Sequence, residues 1–149
     1  MPAASEPSLP HTFRPLGVRI MITVLGALLL LVSMVTWFAF PAEVRDQFSP
    51  EQRGTLVLFG LVLYGAGFAL ARSRVVARED GVTVVNGYRS RRYEWNEVLA
   101  VSLRPGSPWA VLDLADGTTV AAMGIQGSDG ARAAAQARQL RSLVDLHTR

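Results

Sequence analysis

A run of 21 residues without a charged side chain, residues 20–40, is the feature that most restricts how this 149-residue chain folds. At about 1.5 Å of rise per residue, a helix of that length reaches about 31 Å, the thickness of the hydrocarbon core of a bilayer. A cleaved signal peptide has a shorter apolar region that ends at small residues, whereas this run ends at Trp37, Phe38 and Phe40, just before Pro41. The run therefore predicts an uncleaved transmembrane helix with aromatic side chains at its interfacial end.

A second uncharged run, residues 54–71, lies between Arg53 and Arg72. As a helix it would reach about 27 Å, the short end of the transmembrane range. It has no polar face, which a buried helix of a soluble protein would normally show. The connection, residues 41–53, contains two prolines and five charged side chains and is too polar for lipid. We therefore expect residues 20–71 to form a hairpin of two antiparallel transmembrane helices.

The distribution of arginine predicts the orientation of this hairpin, because segments rich in basic residues stay in the cytoplasm. The flank before the first run and the 21 residues after the second run contain eight arginines, against two in the connection. Both termini are therefore expected in the cytoplasm, as in a multi-pass protein of the plasma membrane. Residues 1–19 are assigned to a disordered N-terminal tail, since the first 13 are rich in proline, serine and alanine.

Small residues recur along one side of the second run, at Gly60, Gly67 and Ala71, with Tyr64 between them. The spacing i, i+4, i+7 and i+11 places the four residues on a single helix face. Small side chains let helix backbones approach closely in a membrane. We expect this face to pack against the first helix or against the helix of a partner.

After the second run the pattern changes to short alternating segments, which indicates a soluble β domain over residues 72–149. Six strands are expected, over residues 75–77, 82–85, 88–95, 98–103, 109–114 and 118–123. The last segment changes to a helical period over residues 130–146, with Ser128 or Asp129 as the cap. The apolar stripe of this helix consists of Ala133, Ala137, Leu140 and Val144. Burial of that stripe would stabilise an antiparallel meander shaped as a small half-open barrel.

Two dipeptides, Asn86-Gly87 and Asp116-Gly117, are expected at the centres of type I′ hairpin turns, which need a positive φ at both central residues. A two-residue loop fixes the register of the strands that it joins. The second turn would place Leu112 opposite Ala121 and Leu114 opposite Thr119.

Three short motifs, in this order and spacing, resemble the bacterial pleckstrin-homology (PH) domain family, in particular the type of the actinobacterial low molecular weight protein antigen 6. They are EDGVTV at residues 79–84, YEWNEV at residues 93–98 and LADGT at residues 114–118. The resemblance covers about residues 72–146. It implies an α+β chain: a two-helix transmembrane hairpin followed by a small PH-like antiparallel β-barrel that a C-terminal helix caps. It also implies seven strands, so that either residues 123–126 hold the seventh or this chain lacks it.

The sequence offers little for catalysis. There is no cysteine, and the two histidines, His11 and His147, lie near the chain ends. The paired acids Asp113 and Asp116, and Glu94 and Glu97, are expected on solvated sheet edges. Because a catalytic or metal site needs such groups in one cleft, we expect no enzymatic activity, no cofactor and no metal. All 15 basic residues are arginine and the net charge is +3, too mild an excess for nucleic-acid binding.

One basic cluster stands out, at Arg89, Arg91 and Arg92 just after Asn86-Gly87. A basic first hairpin is where PH domains generally bind acidic head groups, so the resemblance makes these arginines candidate contacts for an anionic ligand or a partner. The orientation rule and a solvated strand face would also account for them. We expect a non-enzymatic, membrane-anchored interaction or scaffold module, an accessory protein of a membrane or cell-envelope assembly in the bacterial inner membrane. Its partners would be the bilayer and a membrane-complex protein; the alternative is a sensor of anionic lipid head groups.

Overall fold

The computed structural model describes residues 8–148. Two long helices, α1 (Leu16–Ala39) and α3 (Pro50–Arg72), are joined through one short helical turn, α2 (Ala42–Arg45). Both long helices are apolar enough to cross a membrane, and the chain buries no part of their apolar windows. They cover the two uncharged runs, residues 20–40 and 54–71, to within one residue.

Local contacts close the connection between the long helices. The Ser49 hydroxyl accepts a hydrogen bond from the Gln52 amide, and the Gln52 side chain accepts one from the Ser49 amide, so that α3 begins with a capping box. The Trp37 ring packs edge-on against Phe48, with 5.6 Å between ring centroids. The Arg53 guanidinium lies 5.5 Å from the centre of the Trp37 ring. An aromatic and basic cluster therefore marks the end of the hairpin remote from the β domain, as expected at a membrane interface.

In the part of the chain that the structure describes, seven strands form two antiparallel sheets, with the orders β1-β2-β3-β4 and β5-β6-β7. The strands are β1 (His11–Phe13), β2 (Arg74–Arg78), β3 (Gly81–Asn86), β4 (Arg89–Tyr93), β5 (Val98–Ser102), β6 (Trp109–Leu114) and β7 (Thr119–Gln126). A C-terminal helix, α4 (Ala131–His147), follows. The expected class, two apolar helices followed by an antiparallel β domain and a terminal helix, is confirmed. Between residues 8 and 148 the strands lie in two sheets and do not close into the expected barrel.

The seventh strand comes from the chain before the helices. Strand β1 pairs antiparallel with β2, which follows α3, and Phe13 lies opposite Val75. The Phe13 side chain is fully buried. Residues 123–126, considered above for the extra strand, extend β7 instead. A strand of three residues carries too little alternation to be detected in a sequence.

The N-terminal segment therefore differs from the disordered tail expected over residues 1–19. Residues 11–13 form β1, and α1 begins at Leu16, three residues before that tail was expected to end. Residues 1–7 of the expected tail lie outside the part of the chain that the structure describes.

The core lies between the two sheets and under α4. Side chains of the strands point inward, and the largest fully buried side chains of the core are Phe13, Leu112 and Ile125 from the strands and Leu140 from α4. The predicted apolar stripe of α4 is confirmed as the buried face of that helix, which also buries Leu143. The stripe covers the space between the two sheets. Helix α4 therefore shields from water the apolar side chains that the two small sheets alone would leave exposed.

Strand β7 joins the sheets by crossing β2 and β3. The Asn86 side chain connects β3 to β7 through two hydrogen bonds. Its Nδ2 donates to the carbonyl oxygen of Ala121 at 2.5 Å, and its Oδ1 accepts from the Met123 amide at 3.0 Å. At the next crossing, a Cβ on Gly124 would lie 2.5 Å from the Val75 nitrogen. Only glycine allows the two backbones to approach so closely.

The first hairpin turn is shifted by one residue from the expected type I′ turn. The strands close at the pair Asn86 and Arg89, so Gly87 and Tyr88 form the loop. Of these two loop residues, only Gly87 has a positive φ, +59°, which fits a type II′ turn with glycine at its first central position. Asn86 thus stays in the strand, where its side chain is available to β7.

The second hairpin has a three-residue loop, residues 115–117. The Leu114 amide donates to the Thr118 carbonyl, and Gly117 adopts a φ of +82°. Leu112 lies opposite Val120 rather than Ala121, and Asp113 rather than Leu114 lies opposite Thr119. The expected register was wrong by one position because it assumed a two-residue loop.

Candidate functional site

The β3–β4 hairpin, which carries the predicted arginines, is fixed against the end of α3. Ser73, which is 1% exposed, links them: its hydroxyl donates to the Ala69 carbonyl at 3.1 Å and accepts from the Gly87 amide at 2.9 Å. A Cβ on Gly87 would lie 3.4 Å from the Ala69 Cβ, so the loop touches the helix itself. The loop between β3 and β4 is therefore held on α3 by backbone and side-chain contacts.

Tyr88 extends this contact down the side of α3. Its hydroxyl donates to the Gly65 carbonyl at 2.7 Å, although the residue as a whole is 63% exposed. The Arg72 guanidinium lies 5.5 Å from the centre of the Tyr88 ring. Because Gly65 precedes Arg72 by two helical turns, about 10 Å of axial rise, the Tyr88 hydroxyl lies beside the apolar part of α3. The Gly65 carbonyl thus gives this hydroxyl a hydrogen-bond partner at a level where the side chains of α3 are apolar.

The three arginines after this loop are all exposed but do not form a single cluster. By register, Arg89 lies opposite Asn86 and Arg91 opposite Val84, so both share the face that carries the buried core residues. Arg92 lies on the other face and forms an ion pair with Asp80. The structure therefore divides the predicted trio into an adjacent pair, Arg89 and Arg91, and one arginine with a carboxylate partner.

Only part of the predicted packing face of α3 contacts α1 in the described chain. A Cβ on Gly67 would lie 3.1 Å from the Ile22 Cγ2 of α1, which makes Gly67 a point of close approach. A Cβ on Gly60 would meet no neighbouring group within 4 Å, and Tyr64 is 71% exposed and stacks on Phe68. Ala71 is half-buried at the domain end. Within the described chain, the helices thus meet most closely near the β domain.

Asp129 holds the start of α1. Its two carboxylate oxygens accept hydrogen bonds from the Leu16 and Gly17 amides, at 2.8 and 2.9 Å. A carboxylate at this position accepts hydrogen bonds from amides that have no partner within the helix. Its negative charge also interacts favourably with the positive end of the helix dipole. The sequence suggested Asp129 as a cap for α4, whose first residues have no side-chain cap. Its true partner is distant in sequence, and no local pattern indicates it.

Trp95, His147 and Asp116, which the sequence offered as polar or aromatic candidates, form contacts within the β domain. The Trp95 indole N–H donates to the carbonyls of Arg78 and Glu79, and its ring stacks on His147 with 4.6 Å between centroids. The hydroxyl and amide of Thr118 hydrogen-bond to the Asp116 carboxylate and lower its pKa. Among residues 8–148, no three histidine, aspartate or glutamate side chains are grouped as metal ligands.

Comparison with known proteins identifies the β domain. A family model described as a bacterial PH domain matches residues 72–143. Three uncharacterized proteins, Mb1452 of Mycobacterium bovis and MT1460 and Rv1417 of Mycobacterium tuberculosis, are each 42% identical over 85 residues, which is 57% of this chain and 55% of the relative. The match thus spans about half the length of these curated relatives. No solved structure matches the chain significantly.

The matched segment begins at the end of α3 and includes β2 to β7 and most of α4. It leaves out β1, which the structure places in the same sheet although it precedes both helices. PH domains are generally non-catalytic and commonly mediate lipid or protein interactions. Residues 72–143 therefore belong to the bacterial PH domain family, and in this chain two apolar helices precede them.

Proposed function

We propose that this protein is a non-enzymatic interaction module that holds a PH domain at the cytoplasmic face of the bacterial inner membrane, as an accessory or scaffold protein of a membrane or cell-envelope assembly. The observation that carries the proposal is the pairing of β1 with β2. One sheet contains strands from both ends of the helical hairpin, and only two residues on one side (14–15) and one on the other (Ser73) lie between strand and helix.

This pairing bears on topology. Since β1 and β2 are neighbours, the two chain segments that leave the hairpin lie on the same side of any membrane that the helices cross. The eight arginines near those segments, against two in the connection, favour the cytoplasm for that side. The proposed arrangement is a multi-pass protein with two spans and both termini inside.

The rigidity of the anchor favours a protein partner over a lipid ligand. Two helices, the Tyr88 and Ser73 contacts, and the Asp129 cap already hold the domain at the membrane. Each arginine near an anionic leaflet would add on the order of 1 kcal/mol, which changes little for a protein that its helices already retain. A domain with a fixed position is suited to presenting a surface to another protein.

The topology is tested with reporters fused to the full chain. A periplasm-active reporter should be active after Gln47 and inactive after Arg149, and a cytoplasm-active reporter should show the reverse. Periplasmic activity after Arg149 combined with cytoplasmic activity after Gln47 would contradict the proposed orientation.

The scaffold function is tested by purification of the tagged full chain in mild detergent, followed by mass spectrometry. Proteins recovered with the wild-type chain should be lost when Arg89 and Arg91 are both replaced by Gln. The matched control replaces Arg104 and Arg132, two arginines far from β4 in sequence, by Gln. If all four substitutions leave recovery unchanged, the arginine pair is not the partner contact.

A head-group sensor is the second candidate, and the contact of Tyr88 with α3 favours it, because Arg89 directly follows Tyr88 and would lie near the end of this apolar helix. Native mass spectrometry of the full chain in micelles with added phosphatidylglycerol or phosphatidylcholine tests it. Selective retention of phosphatidylglycerol, lost in the Arg89→Gln, Arg91→Gln variant, would support the sensor. Equal retention of both lipids would exclude it.

A further inference from the structure

We propose that the outer edge of β4 binds an extended acidic segment of a partner protein, which joins the first sheet as a fifth strand. The inference rests on the proposed scaffold function and names the contact surface and the chemistry of the partner. Strand β4 lies at one end of the first sheet, in the order β1-β2-β3-β4.

The register of β3 and β4 identifies the backbone groups at this edge. In a hairpin with a two-residue loop, the pair that closes the loop exchanges hydrogen bonds, and such pairs alternate along the ladder. Asn86 with Arg89 closes the loop, so Val84 with Arg91 is the next bonded pair. Ser90 and Arg92 lie between bonded positions, and their amides and carbonyls therefore point away from β3. An added antiparallel strand would form a bonded pair at each, using two donors and two acceptors.

The other long edges are occupied within the described chain. At the edge of the second sheet, the Arg141 guanidinium of α4 donates twice to the Val101 carbonyl of β5, at 3.1 and 2.8 Å. Strand β7 lies across β2 and β3, and β1 has only three residues. The four residues from Arg89 to Arg92 are all exposed, which leaves β4 as an accessible edge of useful length.

The positive charge of β4 determines which kind of strand can pair with its outer edge. A second copy paired through β4 would set arginine rows against each other, and like charges on neighbouring strands destabilise pairing. Arg89 and Arg91 share one face of the strand, and Arg92 already has Asp80 as its partner on the other face. A strand with acidic side chains at alternate positions would place them next to Arg89 and Arg91. A lipid head group would meet the arginines but could not pair with the row of backbone groups.

The test uses the full chain in phosphatidylcholine nanodiscs and a fluorescent peptide of about seven residues that alternates glutamate with valine. The peptide should bind with a salt-dependent affinity, and a lysine–valine peptide should not bind. Ser90→Pro removes an outward N–H without removing a bond to β3 and should weaken binding about tenfold or more. Ser90→Ala, the matched control, keeps the backbone donor and should change the affinity less than about twofold.

The wild-type chain gives an independent readout if Ser90→Pro does not fold. Bound glutamate–valine peptide should slow hydrogen exchange at the Ser90 and Arg92 amides and leave the Arg91 amide, already bonded to β3, unchanged. Equal binding to wild type and folded Ser90→Pro, or no slowing at Ser90 and Arg92, overturns the strand addition. If proteins are still recovered through Arg89 and Arg91 in detergent, the scaffold function stands while this mode of binding falls.

Discussion

Asn86 shows how one residue decides the arrangement of both sheets. An asparagine before glycine predicts a turn, yet this asparagine stays in β3 and bridges to β7 through both atoms of its amide. The residue needs a donor and an acceptor because it meets a carbonyl at Ala121 and an amide at Met123. Buried backbone groups without partners are costly, so this side chain stabilises the junction.

We expect Asn86→Ala to lower the free energy of unfolding by about 1–3 kcal/mol, because it leaves the Ala121 carbonyl and the Met123 amide unpaired. Denaturant titration in micelles, followed by tryptophan fluorescence to which the buried Trp95 contributes, measures the change. Asn96→Ala, at an exposed position of a 3-10 turn, is the control and should stay within about 0.5 kcal/mol of wild type. Equal effects of the two substitutions would show that the bridge does not join the sheets.

At the scale of the element, β1 supplies a core side chain and an edge strand that the rest of the domain lacks. It has three residues, but Phe13 is one of the largest fully buried side chains of the whole core. The backbone of β1 also covers the edge of β2, which would otherwise be open to pairing with another chain. The PH domain of this chain thus depends on a segment that lies outside the matched family region.

Phe13→Ala should lower the free energy of unfolding of the full chain by about 3–5 kcal/mol, the usual cost of removing a phenylalanine from a packed core. Phe13→Leu, which fills more of the site, should cost clearly less. Both are measured by denaturant titration in micelles. A loss below about 1 kcal/mol for Phe13→Ala would show that β1 does not contribute to the core.

The sequence predicted the elements with a strong local pattern. The two uncharged runs and the α4 stripe need only composition and period, and the described structure contains them almost as expected. Both turn registers were wrong because Gly87 fits either central position of a two-residue loop, and Gly117 also fits a three-residue loop. The roles of Asp129 and β1 could not be predicted, because their partners are distant in sequence and no local pattern encodes a distant pair. For the candidate site, the sequence indicated the arginines but not their division between two strand faces.

At the scale of the whole molecule, the helical hairpin is an insertion between two neighbouring strands of one sheet. Residues 14–73 separate β1 from β2, which are antiparallel and adjacent. The helices continue from the strands almost directly, and Asp129 and Tyr88 tie each helix to a different part of the domain. A relative movement of α1 and α3 would therefore act on the β1–β2 pair, so the domain and the hairpin form one mechanical unit.

This topology predicts that the soluble domain needs both of its chain segments. We expect a chain in which an Asn-Gly turn replaces residues 15–73 to fold as an antiparallel β domain with one helix, since a two-residue loop suits adjacent antiparallel strands. Residues 72–149 alone lack Phe13 and β1. Because losing a buried phenylalanine costs about 3–5 kcal/mol of a total stability of about 5–15 kcal/mol, this fragment should unfold at much lower denaturant or without a cooperative transition.

Circular dichroism and tryptophan fluorescence on the two soluble proteins measure the difference. A third protein, the Asn-Gly chain with Phe13→Ala, is the matched control and should behave like the fragment if burial of Phe13 is the main contribution of β1. Because all three proteins lack α1 and α3, any difference between them reports on the strand and not on the membrane anchor. If the fragment from residue 72 is as stable as the Asn-Gly chain, β1 is not part of the folded domain, and the inserted-hairpin topology is wrong.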